Sequence, residues 1–359
     1  MAPDDRPQTT APFAEAVKVE KLDSNTYRVH LHEDYCIGSV PNGGYTASCI
    51  LAAGRLHLQS RSQPDAFTAH FEFPGRTAQG PAIITADDIK LGTQLSTLQL
   101  TLWQGGLQPT APWITPGASR RTVLAYATLA DLRGMSGISL ETGWGASPAA
   151  ALPGPTPDFG ALLTGRSEAG AGDGFWEEQV TPPSKVFRSL QNWRFFLPRG
   201  GAIEPGFVDM WACRSNREPV TQAALAYLVD SFPYNIHMYL MSPELRALLQ
   251  TPRGGEGGGG GGGGGDARAE DLHNKNEQRA ELWFPTVVLN LEVKTALPEE
   301  GLDWFAVRVQ SKVIKDGRFD TDVMVRDKNG EVVALSQTVS MIVSMERNTA
   351  RKGAAKASL

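Results

Sequence analysis

One carboxylate in an otherwise apolar helical pattern is the residue of this sequence best placed to do chemistry. The segment from Val220 to Ile236 reads VTQAALAYLVDSFPYNI and carries Asp230 in its last apolar turn. Apolar side chains cover nearly every side of the predicted helix, as in a helix buried against a sheet. A buried carboxylate must be paired, hydrogen-bonded or functional. Asp230 is therefore a candidate general base, and a capping role at its own helix end is the structural alternative.

A second candidate lies in the turn-forming sequence SVPNGGY at residues 39–45, which leads into a helical run of small residues. Glycines let a ligand or another backbone approach closely, and the amides of a first helical turn carry positive partial charge. The turn could bind an oxyanion or a phosphate, or it could pack a helix tightly on a sheet. The candidate binding residues are Asn42, Gly43, Gly44 and Tyr45.

Histidines, cysteines and glycines give no pattern for a metal or a cofactor. His30 and His32 share one face of a predicted strand, but no third ligand stands nearby. The three cysteines form no CxxC pair and are predicted to be buried thiols. The nine glycines from Gly257 to Gly265 lack the Lys-Ser/Thr ending of a phosphate-binding loop and predict a surface spacer. We therefore expect no metal and no cofactor.

Composition and charge exclude several classes of partner. The chain has 359 residues, 41% of them hydrophobic, and a formal net charge of -5. This balance argues against nucleic acid, and no apolar run is long enough to span a bilayer. The start lacks the features of a signal peptide, so we expect a cytoplasmic protein, while the final Ala-Ser-Leu has the outline of a peroxisomal address without its basic residue. The sequence is compatible with a homo-oligomer and does not decide the oligomeric state.

The elements that must position these residues repeat once along the chain. A strand at 27–32, a helix at 41–58 and strands at 66–73, 82–90, 94–104 and 123–131 form the first round. Strands at 186–196 and 207–213, a helix at 220–236 and strands at 280–293, 304–315, 318–327 and 332–345 form the second. Asp316-Gly317 and Asn329-Gly330 are hairpin turn signals, so the last three strands should form an antiparallel meander. The predicted class is α+β with an internal repeat.

Composition shifts place the expected boundaries. A polar N-terminal tail covers residues 1–24, the first unit 25–132 and a linker rich in Gly, Ala and Pro 133–185. The second unit covers 186–345, with a flexible glycine-rich insertion at 251–271, and a C-terminal tail follows at 346–359.

Four short motifs carry a resemblance to a known family. The segment LAYLVD at 225–230 resembles the LAYLSD segment of the acyl-CoA thioesterase II family, and PNGGY at 41–45 resembles the opening of the first helix in the thioesterase-like superfamily. AHFEFPG at 69–75 and VVALSQ at 332–337 are similar to strands of the same proteins. The resemblance covers roughly 25–132 and 186–345. It implies a double hotdog, in which two long helices are each wrapped by a curved antiparallel sheet and the sheets join edge to edge.

The resemblance also implies a site and a reaction. In that family an Asp, a Thr and a Gln position a water against a thioester carbonyl, and the first two fall on Asp230 and Thr286. The third position falls on Thr338, whereas Gln337 comes one residue early and would face away unless a bulge restored the register. The implied activity is hydrolysis of a fatty-acyl or polyketide-type thioester linked to CoA or a carrier protein. The alternative is a non-hydrolytic acyl-binding protein, or one that supports dehydration or cyclisation. An apolar groove would be lined by aromatic residues near the helix: Trp211, Tyr227, Phe232, Tyr234 and Trp283.

Overall fold

The computed structural model describes residues 11–145, 155–165, 173–179, 186–199, 206–232 and 282–349. The predicted insertion at 251–271 with its glycine tract, the groove residue Tyr234 and the C-terminal Ala-Ser-Leu lie outside the described residues.

The described part contains six helices, three 3₁₀ turns and eighteen strands. The helices are α1 (Phe13–Ala16), α2 (Gly43–His57), α3 (Phe159–Thr164), α4 (Arg188–Gln191), α5 (Leu225–Val229) and α6 (Glu346–Thr349), and the 3₁₀ turns are Glu33–Tyr35, Gln59–Arg61 and Gln222–Ala224. The strands of the first half are β1 (Val19–Lys21), β2 (Thr26–Leu31), β3 (Cys36–Ile37), β4 (Val40–Pro41), β5 (Asp65–Glu72), β6 (Gly80–Leu91), β7 (Leu95–Gln104) and β8 (Arg120–Ala130). Those of the second half are β9 (Trp176–Glu178), β10 (Trp193–Pro198), β11 (Phe207–Arg214), β12 (Leu282–Trp283), β13 (Thr286–Val293), β14 (Phe305–Gln310), β15 (Ile314–Lys315), β16 (Arg318–Arg326), β17 (Val332–Met341) and β18 (Val343–Ser344).

One continuous antiparallel sheet contains most of these strands. Its order is β1-β2-β6-β7-β8-β5-β13-β17-β16-β14-β11-β10-β9, with β15 beside β16. The first half runs β2-β6-β7-β8-β5, and the second half repeats that order as β11-β14-β16-β17-β13. The halves join where β5 pairs with β13, for example His70 with Asn290. The α+β class and the internal repeat are therefore confirmed, as is the meander of the last long strands.

Helix α2 is the central helix of the first half. Its N-cap is Asn42, whose side-chain oxygen accepts from the amide of Tyr45 at 2.9 Å. Ten of its fifteen residues are buried, including Gly44 of the first turn. Because apolar residues such as Ile50 contact the sheet on one side and α5 lies on the other, this helix has little exposed surface. The predicted helix at 41–58 is confirmed with its ends shifted by one or two residues.

The second long helix is not confirmed at its predicted length. Within 220–236 the described chain forms the 3₁₀ turn Gln222–Ala224 and then the five-residue α5, which ends at Val229 and is followed by Asp230. Phe232 precedes Pro233, and a residue before proline disfavours the α conformation, so the apolar pattern does not continue as helix there. Residues 233–236 lie outside the described part.

Segments assigned to a tail and a linker also contribute to the fold. Phe13 of α1 is buried in the main core, and β1 pairs with β2 at the sheet edge. In the linker, β9 pairs with β10, and Trp176 packs with Phe159 and Trp211 in a second hydrophobic cluster. The strand predicted from residue 186 begins only at Trp193, because the residues before it form α4.

Candidate active site

Asp230 stands where three elements meet. It follows α5 directly, and its Oδ2 atom accepts from the amide of Gly44 in the first turn of α2 at 2.7 Å. Its Oδ1 atom accepts from the hydroxyl of Thr286, the first residue of β13, at 2.9 Å. The side-chain amide of Asn42 donates to the main-chain carbonyl of Asp230 at 3.2 Å. The carboxylate therefore binds elements of both halves and is not occupied in capping its own helix.

The two glycines allow this close approach. A Cβ atom on Gly43 would lie 2.9 Å from Oδ2 of Asp230 and 3.3 Å from Oγ1 of Thr286. On Gly44 it would lie 2.2 Å from the carbonyl oxygen of Ala226. Any side chain at Gly44 would push α2 away from α5. The turn thus packs α2 against α5 and supplies a backbone donor to the carboxylate of Asp230, while its binding of an anionic ligand stays a prediction.

The amide of Gly43 is a candidate oxyanion donor. It belongs to the first turn of α2, where backbone amides have no partner within the helix. Within the described ranges this amide has no hydrogen-bond acceptor, and its residue approaches Asp230 closely, since a Cβ atom on Gly43 would lie 2.9 Å from Oδ2. The positive end of the helix dipole would favour negative charge at this point.

The environment of Asp230 suits a general base. Burial raises the pKa of its carboxyl group to about 6, although the hydrogen bonds from Gly44 and Thr286 oppose that rise. At neutral pH the group is mostly ionised, yet it is more basic than an ordinary aspartate. Each oxygen retains a lone pair beyond its described hydrogen bond and can therefore accept from a water molecule.

The structure shows which way the two candidates for the third family position, Gln337 and Thr338, face. Along β17 the side chains alternate, so that Thr338 is buried and Gln337 is exposed. Gln337 pairs with Asn290 of β13, whose side chain binds His70 at 2.7 Å on the outer face of the sheet. The bulges in this region lie elsewhere, one before Val288 and one at Arg326, and they leave Gln337 pointing outward.

The two tyrosines proposed for substrate binding are buried and already hydrogen-bonded. The hydroxyl of Tyr45 donates to the carbonyl of Ala16 at 2.7 Å and accepts from the amide of His32. The hydroxyl of Tyr227 donates to the carbonyl of Ser189 at 2.8 Å. Their rings belong to the core behind the site.

The predicted groove aromatics are dispersed. Phe232 packs on Trp193 and Phe195 inside the core. Trp211 belongs to the cluster on the other face of the sheet, because neighbouring residues of β11 point to opposite faces and Met210 lies in the main core. Trp283 is partly buried on β12. The sequence singled out Asn42, Gly44 and Asp230 but did not predict that Asn42 and Gly44 contact Asp230. It also gave no signal for the approach of Gly44 to Ala226, since a main-chain carbonyl carries no residue-type information.

The cysteines and the possible metal ligands of the described residues give no second reactive site. The three cysteines are free and buried, as predicted, and burial raises the pKa of each thiol to about 12. No group of three or more His, Cys, Asp or Glu that could hold a metal occurs within the described ranges. In the same ranges no helix is long and apolar enough to cross a membrane.

Comparison with protein families gives two matches that together span most of the chain. Residues 31–130 match the model of the acyl-CoA thioesterase N-terminal domain, and residues 164–342 match that of the C-terminal domain. The thioesterase-like protein TwmA of Talaromyces wortmannii is 53% identical over 353 residues, covering 98% of this chain and 97% of that protein.

Solved structures share the fold at low sequence identity. A putative thioesterase II from Thermobifida fusca is 18% identical, with a TM-score of 0.58 and coverage of 92% of this chain and 98% of that one. A conserved protein of unknown function with a hot dog fold from Alicyclobacillus acidocaldarius is 16% identical, with a TM-score of 0.57 and coverage of 93% and 99%. These likenesses show the hotdog fold for the two repeated halves.

Proposed function

We propose, because this chain belongs to the acyl-CoA thioesterase family, that it hydrolyses an acyl thioester with a water molecule activated by Asp230. The observation that carries the proposal is the carboxylate held between the amide of Gly44 and the hydroxyl of Thr286, with its pKa raised to about 6. A base of this pKa is suited to proton transfer near neutral pH.

The chain's own residues supply each step. Asp230 takes a proton from water as the oxygen attacks the thioester carbonyl carbon. The amide of Gly43 donates to the oxyanion that forms there. Collapse of this intermediate breaks the carbon–sulfur bond, and protonated Asp230 returns the proton to the leaving thiolate. Thr286 holds the carboxylate in one orientation, and no covalent nucleophile is needed.

The substrate is proposed as a fatty-acyl or polyketide-type thioester carried by CoA or a carrier protein. A panel of acyl-CoAs with a thiol reagent tests the activity directly, because each turnover releases one free thiol. Release of CoA that saturates with substrate would support hydrolysis. Binding of acyl-CoA without thiol release from any member of the panel would reject it.

The rate should depend on pH through Asp230. Because the base acts when ionised and its pKa is about 6, kcat/KM should be flat above that pH and fall about tenfold per unit below it. A pH profile with a short-chain acyl-CoA between pH 4.5 and 8, at constant ionic strength, measures this. A profile that stayed flat down to pH 4.5 would exclude Asp230 as the base.

Of the two candidates for the family's third catalytic position, substitution of Thr338 should lower kcat and substitution of Gln337 should not. Thr338→Val keeps the shape of the side chain and removes a hydroxyl from the buried face of β17, so we expect kcat to fall about tenfold, the rate equivalent of one lost hydrogen bond of about 1.4 kcal/mol. Gln337→Ala changes an exposed side chain and should leave kcat within about twofold of the parent. Parallel steady-state assays decide between them, and a larger effect at Gln337 would mean that the strand register changes in solution.

Non-hydrolytic acyl binding is the second candidate. The observation that favours it is the outward direction of Gln337, which leaves the family's third position to a shorter side chain. In that case the same site would bind a fatty-acyl or polyketide ligand, or support its dehydration or cyclisation. Saturable binding of an acyl-CoA with no release of thiol would favour this function.

A further inference from the structure

A cavity of about 730 Å³ lies away from Asp230, beside the C-terminal half of α2. Leu51 and Ala52 of α2 form one wall, Ala66 of β5 a second, and the 3₁₀ turn with Ala223 a third. Its volume falls within the range of small-molecule sites, about 300–1,000 Å³. Asp230, Thr286 and both glycines of the first turn of α2 are not among its lining residues.

The internal repeat relates this cavity to the candidate active site. Thr286 precedes a bulge in the pairing of β13 with β17, and Ala66 precedes the corresponding bulge in the pairing of β5 with β8. The active site joins the end of α5, the start of α2 and Thr286. The cavity joins the end of α2, the turn before α5 and Ala66. It is therefore the second copy of the same place in the fold.

This copy lacks the catalytic groups. Ala66 occupies the position in the first half that Thr286 occupies in the second. The cavity is lined by Leu51 and Ala52 of α2, whereas the active site contains Asp230, the residue after α5. No side chain at these positions could activate a water. The cavity is consequently suited to binding and not to hydrolysis.

Two glutamines give the cavity a defined polarity. Gln63 is 2% exposed, and its amide nitrogen donates to the carbonyls of Gly92 and Thr93, which leaves its Oε1 atom buried with no partner in the described chain. The Oε1 atom of Gln222 accepts from the amide of Leu297 at 2.9 Å, which leaves its Nε2 atom buried and likewise unpaired there. Both residues line the cavity. A buried unpaired acceptor and a buried unpaired donor are costly unless a ligand satisfies them.

The charges around the cavity oppose an anionic ligand. Its lining contains two basic side chains, Lys18 and Arg55, and three acidic ones, Asp131, Glu218 and Glu300. Lys18 is also 3.6 Å from Glu15. The phosphates of CoA would find no excess of positive charge here, whereas a neutral molecule would incur no electrostatic penalty.

We propose that this cavity is a second, non-catalytic binding site for a neutral amphipathic molecule, an acyl or polyketide chain that carries a hydroxyl group and an ester or ketone carbonyl. The hydroxyl donates to Oε1 of Gln63, and the carbonyl accepts from Nε2 of Gln222. The apolar chain lies against Leu51, Ala52 and Ala66. This site does not depend on hydrolysis at Asp230.

Isothermal titration calorimetry with methyl 3-hydroxydecanoate tests the site, with methyl decanoate as the probe that lacks the hydroxyl. The measurement uses the full chain carrying Asp230→Asn, so that turnover does not interfere, and is repeated on the parent at a temperature where hydrolysis is slow. We expect about one ligand per chain and, because a buried acceptor would be left unpaired, about tenfold weaker binding of methyl decanoate. Ala52→Phe, which places a ring where the apolar chain would lie, should weaken binding at least about tenfold. Ile89→Phe adds a ring at an exposed strand position and should leave the affinity unchanged.

Three results would contradict the proposal that this cavity is a binding site. They are the absence of saturable binding, equal binding of the two esters, and binding that Asp230→Asn abolishes while Ala52→Phe leaves it intact. The last would place the probe in the Asp230 site. Ala66→Leu obstructs the same space from the strand side and replaces Ala52→Phe if thermal melting shows that variant to be unfolded. Release of CoA is assayed separately, so loss of hydrolysis and loss of this binding can be told apart.

Discussion

Replacing Asp230 by asparagine is expected to lower kcat by about 10²–10⁴-fold, the range typical of a lost general base. The substitution is nearly isosteric, and the asparagine oxygen can still accept from the amide of Gly44 while Thr286 reverses its hydrogen bond to accept from the new amide nitrogen. What disappears is the group whose pKa of about 6 allows it to take a proton from water. Steady-state release of CoA, measured at pH 7.5 on parent and variant, gives the ratio.

Thermal melting of the same variant separates catalysis from stability. The pKa of Asp230 in the folded protein, about 6, lies above its ordinary value of 3.8, so the folded state binds more protons than the unfolded state between these values. Ionisation of Asp230 therefore lowers stability as pH rises from about 4 to 6, and the loss is complete above pH 6. Asparagine does not titrate, so the melting temperature of the variant should change less with pH over that interval than that of the parent. If the folded Asp230→Asn protein turned over substrate as fast as the parent, the proposal that Asp230 catalyses hydrolysis would be rejected.

Replacing Gly44 by alanine is expected to reduce the free energy of unfolding by about 3 kcal/mol, the upper end of typical overpacking effects. The added methyl group would lie 2.2 Å from the carbonyl oxygen of Ala226 and 2.6 Å from Cβ of Asp230. Backbone on the α5 side cannot rotate away as a flexible side chain would, so α2 and α5 must separate. The separation would also move the Gly44 amide from Asp230, and activity should fall with stability. Urea denaturation followed by tryptophan fluorescence measures the change.

Gly54→Ala in the same helix is the matched control. There the methyl group would meet the flexible tip of Leu100 at 3.3 Å, and alanine is the better helix former by roughly 0.5–1 kcal/mol. This variant should be as stable as the parent or slightly more stable. Equal stability of Gly44→Ala and Gly54→Ala would show that the two helices are not in close contact in solution.

The sequence by itself determined the features that depend on neighbouring residues. Alternating side chains and turn residues gave the strands and the repeat, and the Asn-Gly-Gly turn marked the start of α2. Strand alternation also predicted that Gln337 would face away from Asp230, and the exposed position of Gln337 on β17 agrees with this. The resemblance supplied Asp230 and Thr286 as a pair, and the structure joins them by one hydrogen bond. Local pattern failed for the second helix, because an apolar run does not show where a helix begins or ends, and within 220–232 only Leu225–Val229 is α-helical.

Only the tertiary structure decided which distant residues meet. The amide of Gly44 donates to a carboxylate 186 residues away, and this contact depends on how closely two helices pack, which residue types along the chain do not encode directly. The face of the sheet that Trp211 occupies was decided by the register of β11 and by the cover that the linker supplies. The cavity beside Gln63 and Gln222 likewise exists because α2, β5 and the turn before α5 leave space between them. Hydrophobic patterns act within a few residues, whereas close approach and empty space are properties of elements brought together by the whole fold.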